Sequence, residues 1–252
     1  MPFIQTPYLP MGPVSQVLID GQRGREAAKA LQKLGISSVK TAPCADLPQS
    51  LSTHPDLLLC PVAPNCMVAA PQAAKRLRNQ LDCYNFNIVE GKSRPGEKYP
   101  YDVAYNVCLI GHVALHHEKY TDPVLKERLT ANGYIFYHVN QGYTKCSVVV
   151  LSHKAIITQD TSIHAAAVAC GINSLLIEPG HILLEGYPYG FIGGCCGLID
   201  KNKLCITGVL HRHPQWNEIK YFFDKHEIEP VFLTDGPAFD IGTIIPLLEK
   251  QS

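Results

Sequence analysis

Between Ser147 and Gly180 two short apolar runs, a polar break, an alanine-rich stretch and a further apolar run follow one another as SVVVLSHKAIIT, QDTS, IHAAAVACG and INSLLIEPG. Short apolar runs bounded by polar residues or glycine read as strands, and the longer alanine-rich stretch reads as a helix. One unit is therefore strand, strand, helix, strand. The same order predicts a strand over residues 14–21 and a helix over 23–34, in which Ala27, Ala30, Leu31 and Leu34 share a face and Gly35 caps the end. A strand, ISSVKTA, comes next. After the polar loop CADLPQSLSTHP the pattern restarts as DLLLCPV and NCMVAA, with a helix over 71–81 and the strand NFNIVEG. The third unit is DVAYNVCLIGHVALHH, a helix over 122–131 and YIFYHVNQG, and the fifth is FIGGCCGLIDKNKLCIT, a helix over 214–226 and IEPVFLTDG.

The two ends complement each other. VSQVLIDG is a second strand lacking an opening strand, and FDIGTIIPLL is an opening strand with no helix after it. The helix-to-strand joints also align, as KLGISSVKT, LDCYNFNIVEG, ANGYIFYHVNQG, ACGINSLLIEPG and KHEIEPVFLTDG. Three of the five carry glycine where a left-handed cap is needed. Five units that close end to end predict one α/β domain over residues 1–252, a pseudo-fivefold ring in which the first and last segments pair.

Composition narrows the class. The hydrophobic fraction of 46% and charged fraction of 17% belong to a folded chain and exclude extended disorder. Lys plus Arg and Asp plus Glu both total 22, so no global field draws the chain to nucleic acid or an anionic membrane. The opening MPFIQTPYLPMGP has no cationic residue and four prolines among its apolar ones, which predicts neither a secretory signal nor a membrane anchor and favours a cytoplasmic location. Ten cysteines fall mostly inside apolar runs, as Cys60, Cys108 and Cys205 do, and no CxxC pair occurs. They read as small core residues, with Cys195 and Cys196 on opposite faces of a strand, and a structural zinc site is not expected.

A ring of five strand-strand-helix-strand units resembles the pentein fold of the guanidino-group-modifying enzymes, which include arginine and agmatine deiminases, amidinotransferases, dimethylarginine hydrolases and a ribosome anti-association factor. The stretches GYTKCSVVVLSHKAIITQD, YGFIGGCCGLIDKNKLCITG and FDIGTIIPLL also resemble a bacterial family of that fold with no assigned activity. The resemblance covers nearly the whole chain. A shared fold does not fix a reaction.

In such a ring the residues opening each strand pair line one central cavity. Here these are Asp56, Asp102, Cys146, the stretch 193–195 and Asp240. Three carboxylates suit a planar, guanidinium-like cation gripped by forked hydrogen bonds, although aspartate also caps turns at strand starts. Cys146 lies four residues after Gly142 in GYTKCS, and the resemblance implies a nucleophile there, because deiminases of the fold place theirs four residues after a glycine in GGNxHCxT. In those enzymes the motif ends the last unit, whereas here it ends the third, and Lys145 replaces the histidine. A neighbouring cation such as Lys145 favours the thiolate a nucleophile needs; the other reading is a structural thiol.

The enzymes of the fold use a histidine at a strand start as acid and base, and none of the five openings as drawn here begins with one. His138, in the closing strand FYHVNQG, is the remaining candidate base near Cys146. His112 and His153 fall in matching turns between paired strands, and His211 and His213 alternate on one face without an identifiable third metal ligand. Tyr187 and Tyr189 are expected to wall the pocket, with Gly193 and Gly194 admitting close backbone approach. Neither GxGxxG nor GxxxxGKS occurs there, so no nucleotide cofactor or any other is expected. The sequence thus favours a non-catalytic pentein that binds a small guanidinium-like ligand at Asp56, Asp102 and Asp240. The alternatives are a guanidine hydrolase or amidinotransferase using Cys146 and His138, and a protein-binding scaffold like the anti-association factor.

Overall fold

A computed structural model describes residues 2–251. The chain runs β1 (Val14–Ile19), α1 (Arg25–Lys33), β2 (Ser37–Lys40), α2 (Pro55–Leu58), β3 (Leu59–Ala63), β4 (Cys66–Ala69), α3 (Pro71–Leu81) and β5 (Asn87–Glu90). It continues through β6 (Cys108–Ile110), β7 (Val113–His116), α4 (Pro123–Ala131), β8 (Ile135–His138), β9 (Val148–Ser152), β10 (Ala155–Thr158), α5 (Thr161–Ala169) and β11 (Asn173–Leu176). The remainder is β12 (Cys196–Asp200), β13 (Lys203–Ile206), α6 (Trp216–Lys225), β14 (Glu229–Phe232) and β15 (Ile245–Glu249).

These strands form five three-stranded sheets of one design, β3-β4-β5, β6-β7-β8, β9-β10-β11, β12-β13-β14 and β15-β1-β2. The first two strands of each are antiparallel and the last two parallel, with a helix in the crossover. The fifth sheet joins the two ends of the chain: Val14 faces Glu249 and Leu18 faces Ile245. As expected from the apolar runs, the opening strands are buried along nearly their whole length and the closing strands lie outermost, with Ile135 and Tyr137 of β8 exposed. Each helix lays a narrow apolar stripe on its own sheet, such as Ala74, Leu77 and Leu81 of α3 or Ile219, Phe222 and Phe223 of α6.

All five helices that cross between parallel strands are followed by a left-handed residue before the closing strand. In four units the residue two positions after the last helical one has positive φ, Gly35, Gly133, Gly171 and Glu227, and after α3 a 3₁₀ turn over Asp82–Tyr84 intervenes before Asn85 takes the same conformation. Glycine supplies that conformation freely; Asn85 and Glu227 adopt it without that advantage, which is why only three joints showed the cap in sequence.

Several boundaries differ from the expected ones, and DVAYNVCLI and FDIGTIIPLL begin as loop, with their strands starting only at Cys108 and Ile245. DLLLCPV does not open as a strand, because Pro55 presets φ for helix and residues 55–58 make one helical turn before β3. Cys195 ends a short 3₁₀ turn rather than lying in a strand, and both Cys195 Sγ and Cys196 Sγ reach the Ile192 carbonyl, at 3.0 and 3.3 Å, so the two thiols share a side. No helix among the described residues is long and apolar enough to cross a membrane.

Candidate functional site

The loops that precede the opening strands bring their polar side chains together. The Asp56 amide donates to the Gly242 carbonyl (3.2 Å), tying α2 to the loop before β15. In that loop Gly242 and Thr243 both have positive φ, which turns the Thr243 hydroxyl onto Asp56 Oδ2 at 2.7 Å. The Cys146 thiol donates to the same oxygen at 3.0 Å. Asn106 braces the pair: its Nδ2 donates to Cys146 Sγ (3.1 Å) and the Asp56 carbonyl (3.2 Å), while its Oδ1 accepts from the amides of Lys145 and Cys146.

His54, two residues before Asp56, sits between two further carboxylates. Its Nδ1 is 3.1 Å from Asp20 Oδ2, and its Nε2 is 3.5 Å from Asp240 Oδ1 with no hydrogen bond. Asp20 follows β1 directly and is held by the amides of Gln22 and Arg23 and the Thr53 hydroxyl. Asp240 accepts from the amides of Phe191 and Gly242. A Cβ on Gly194 would lie 1.9 Å from Asp240 Oδ1, so only glycine lets the backbone there pass the carboxylate. Asp20, His54, Asp56, Cys146 and Asp240 are each no more than 2% exposed.

Charge state follows from these contacts. Burial pulls the His54 imidazolium down, but the Asp20 hydrogen bond and the charges of Asp240, Asp56 and Asp20 outweigh it, and its pKa rises above 6.5. Burial alone would raise Asp20, yet its bonds to His54, Thr53 and Arg23 hold it below the ordinary carboxylate value. Burial pushes Asp240 up, opposed by His54 and reinforced by Asp56. Burial, and then the carboxylates of Asp56 and Asp240, push the Cys146 thiol well above its usual range.

Cys146, His54 and Asp240 line a cavity of about 240 Å³, with Tyr143, Tyr187 and Tyr189 among its walls. Tyr187 and Tyr189 thus stand where a pocket wall was expected. Asp56, which accepts from the thiol, and Asp102, whose Oδ2 accepts from the Tyr143 hydroxyl, are not among the described residues that line the cavity. His138 is not near Cys146. It is exposed, with its Nε2 3.3 Å from Asn140 Oδ1 and its ring edge-on to His117, because its strand is the outermost of the sheet. Lys145 does not reach the thiol either. Its Nζ turns to the Val148 carbonyl and the Thr243 hydroxyl and lies over the Tyr8 ring. His54, Asp20, Asn106 and Thr243 escape sequence reading. The signal for His54 is His-Pro-Asp, in which the histidine directly precedes the helical turn that carries Asp56. Among the described residues no group of three His, Cys, Asp or Glu side chains is arranged to hold a metal.

The fold resembles that of solved amidinotransferases and deiminases. The solved structure of SxtG, an amidinotransferase of saxitoxin biosynthesis from Microseira wollei, matches with a TM-score of 0.62 at 8% identity over 99% of this chain and 98% of that one. The inosamine-phosphate amidinotransferase StrB1 from Streptomyces griseus matches with a TM-score of 0.57 at 11% identity over 100% and 98%. An agmatine deiminase from C. jejuni gives 0.58 at 8% over 97% and 96%. Likeness at such identities shows the shared fold. By sequence, the chain belongs to a family of unknown function (DUF6873), whose model matches residues 18–245. The comparison with curated proteins finds no match.

Proposed function

We propose that this protein is a cysteine-dependent enzyme acting on a small guanidine, with Cys146 as nucleophile, His54 as acid and base, Asp20 orienting His54, and Asp56 and Asp240 holding the cation. The observation that carries the reading is a pair of buried atoms without hydrogen-bond partners, Asp56 Oδ1 and His54 Nε2, beside a thiol that opens on a cavity. Leaving buried polar groups unpaired costs about 1–3 kcal/mol each, a cost that a ligand with matching donors and acceptors recovers. The five units are read as one domain closed into a pentein ring, with these residues at its axis.

In the chemistry proposed, a guanidinium donates to the Asp56 and Asp240 carboxylates, and its positive charge offsets the field that keeps the thiol protonated. Sγ attacks the central carbon as the thiol proton passes to Asp56 Oδ2, its existing hydrogen-bond partner, and the C=N π electrons move to nitrogen. Collapse of this adduct breaks one C–N bond, and His54 Nε2 supplies the proton the departing amine requires. The product of this half-reaction is a thioether-linked amidinium on Cys146. Water or an acceptor amine then adds to the same carbon, giving a proton to His54, and the S–C bond breaks as sulfur recovers the proton from Asp56. His54 must begin as imidazolium, so its raised pKa predicts that the rate persists above pH 6.5 and falls as pH climbs through the raised value.

Intact-protein mass spectrometry after mixing with a panel of guanidines tests this. The expected result is an adduct on Cys146, absent in Cys146→Ser, whose mass distinguishes retention of the substituent (deimination) from retention of the amidino group alone (amidino transfer). No adduct, together with no release of ammonia, urea or amine across the panel, would sink the reading.

A further inference from the structure

The wall of the cavity says what kind of guanidine it takes, given that the site binds one as proposed above. Apart from tyrosine hydroxyls, its ionisable groups are those of Cys146, His54 and Asp240, and the rest of the lining is apolar or aromatic, with Leu51, Leu57 and Leu184 beside Tyr187, Tyr189 and Phe191. Neither lysine nor arginine is among the described residues that line it. Of the hydroxyls there, that of Tyr143 is already committed to Asp102.

The nearby cation is Arg23, and it belongs to a neighbouring cavity of about 440 Å³ that shares Leu184, Tyr187, Pro188 and Asp240 with the first. There its guanidinium is engaged by the Gln49 carbonyl at 3.2 Å and by Glu185 Oε2 at 3.3 Å. A carboxylate on the ligand's tail would therefore lose its water without gaining a free cationic partner, because the one cation of the lining, His54, is already held between the Asp20 and Asp240 carboxylates. A hydrocarbon or aromatic tail loses nothing by leaving water and gains contact with the leucine and tyrosine walls.

We infer that the cavity selects a guanidine whose tail is uncharged and apolar, and that it rejects free arginine and other guanidines carrying a carboxylate. Calorimetric titration of Cys146→Ala, which binds without turnover, with methylguanidine, butylguanidine, phenethylguanidine, agmatine, 4-guanidinobutyrate and arginine tests this. Butylguanidine and phenethylguanidine are expected to bind at least about tenfold more tightly than the two carboxylate-bearing compounds. In Tyr189→Arg that preference narrows or inverts, whereas in Arg23→Ala it is unchanged. Equal or tighter binding of 4-guanidinobutyrate, arginine or agmatine overturns the inference, as does loss of 4-guanidinobutyrate binding specifically in Arg23→Ala. Methylguanidine keeps the two readings apart. If it binds, the cation site stands and the ranking judges the tail; if no guanidine binds, the proposed function fails and this inference falls with it.

Discussion

His54 is the residue on which the site's electrostatics turn, because it separates the buried carboxylates of Asp20 and Asp240. Replacing it with alanine leaves both without their cation, and breaking a buried pair in this way costs about 3–5 kcal/mol. His54→Ala is therefore expected to lower Tm as well as abolish adduct formation on Cys146. The shifts also set a pH window. Asp20's depressed pKa makes its contribution full above the unfolded value of 3.8 and lost as pH falls through the folded one. His54's raised pKa makes its contribution full below 6.5 and lost as pH rises through the folded value. The difference in Tm between the native protein and Asp20→Asn should thus be largest between these values and shrink toward alkaline pH. Burial and two carboxylates keep the Cys146 thiol protonated, so iodoacetamide should label exposed Cys83 well ahead of Cys146. This reverses what a neighbouring Lys145 implied, since the lysine points elsewhere. Faster labelling of Cys146 than of Cys83 in the free protein would contradict the arrangement.

At the scale of elements, the repeat is held by its helix ends. Glu227 adopts φ of 57° where three sister units use glycine. Left-handed backbone costs an L-residue roughly 1–2 kcal/mol, partly offset by the greater unfolded-state freedom of glycine. Glu227→Gly should therefore stabilise the protein by about 0.5–1 kcal/mol, read as a higher denaturant midpoint; an unchanged or lower midpoint would refute the equivalence of the five joints. Asp122 marks another joint. It caps α4 through the amides of Val124 and Leu125 and also accepts from those of Lys92 and Ser93, so one side chain fixes a helix start and the loop after β5. Asp122→Ala is expected to cost about 1–3 kcal/mol, more than a simple exposed cap.

For the whole molecule, the pairing of β1 with β15 makes the last strand part of the first sheet. Ile245, Leu247 and Leu248 are buried and join the cluster that contains Leu18, Leu59 and Leu109. Each such side chain is worth about 1.5–3 kcal/mol, so three of them approach the total stability of a typical domain, about 5–15 kcal/mol. Ending the chain at residue 244 is accordingly expected to abolish cooperative unfolding rather than trim a dispensable tail. A truncated protein that melts cooperatively by circular dichroism near the native Tm would show that the end-to-end pairing carries little.

Sequence alone determined the repeat. Burial of the opening strands on both faces demanded unbroken apolar runs such as VVVL and CLI, and the crossover geometry demanded caps such as Gly133 and Gly171, so local chemistry recorded the five units and the pairing of the chain ends. The nearness of Cys146 to Asp56 and Asp240 was legible for the same reason, since each of the three precedes the opening strand of a different unit. Tertiary structure decided what those residues do to one another. Asp20 lies 34 residues from His54, Asp56 lies 90 from Cys146, and Thr243 lies 187 from Asp56; no local pattern relates them. Side-chain direction was equally hidden: Lys145 and Cys146 are neighbours in sequence, yet one turns to Tyr8 and the other to Asp56, while His138, plausible by register, faces outward on an outer strand. Backbone periodicity is written residue by residue, whereas a constellation of buried charges exists only once distant loops meet and their fields add.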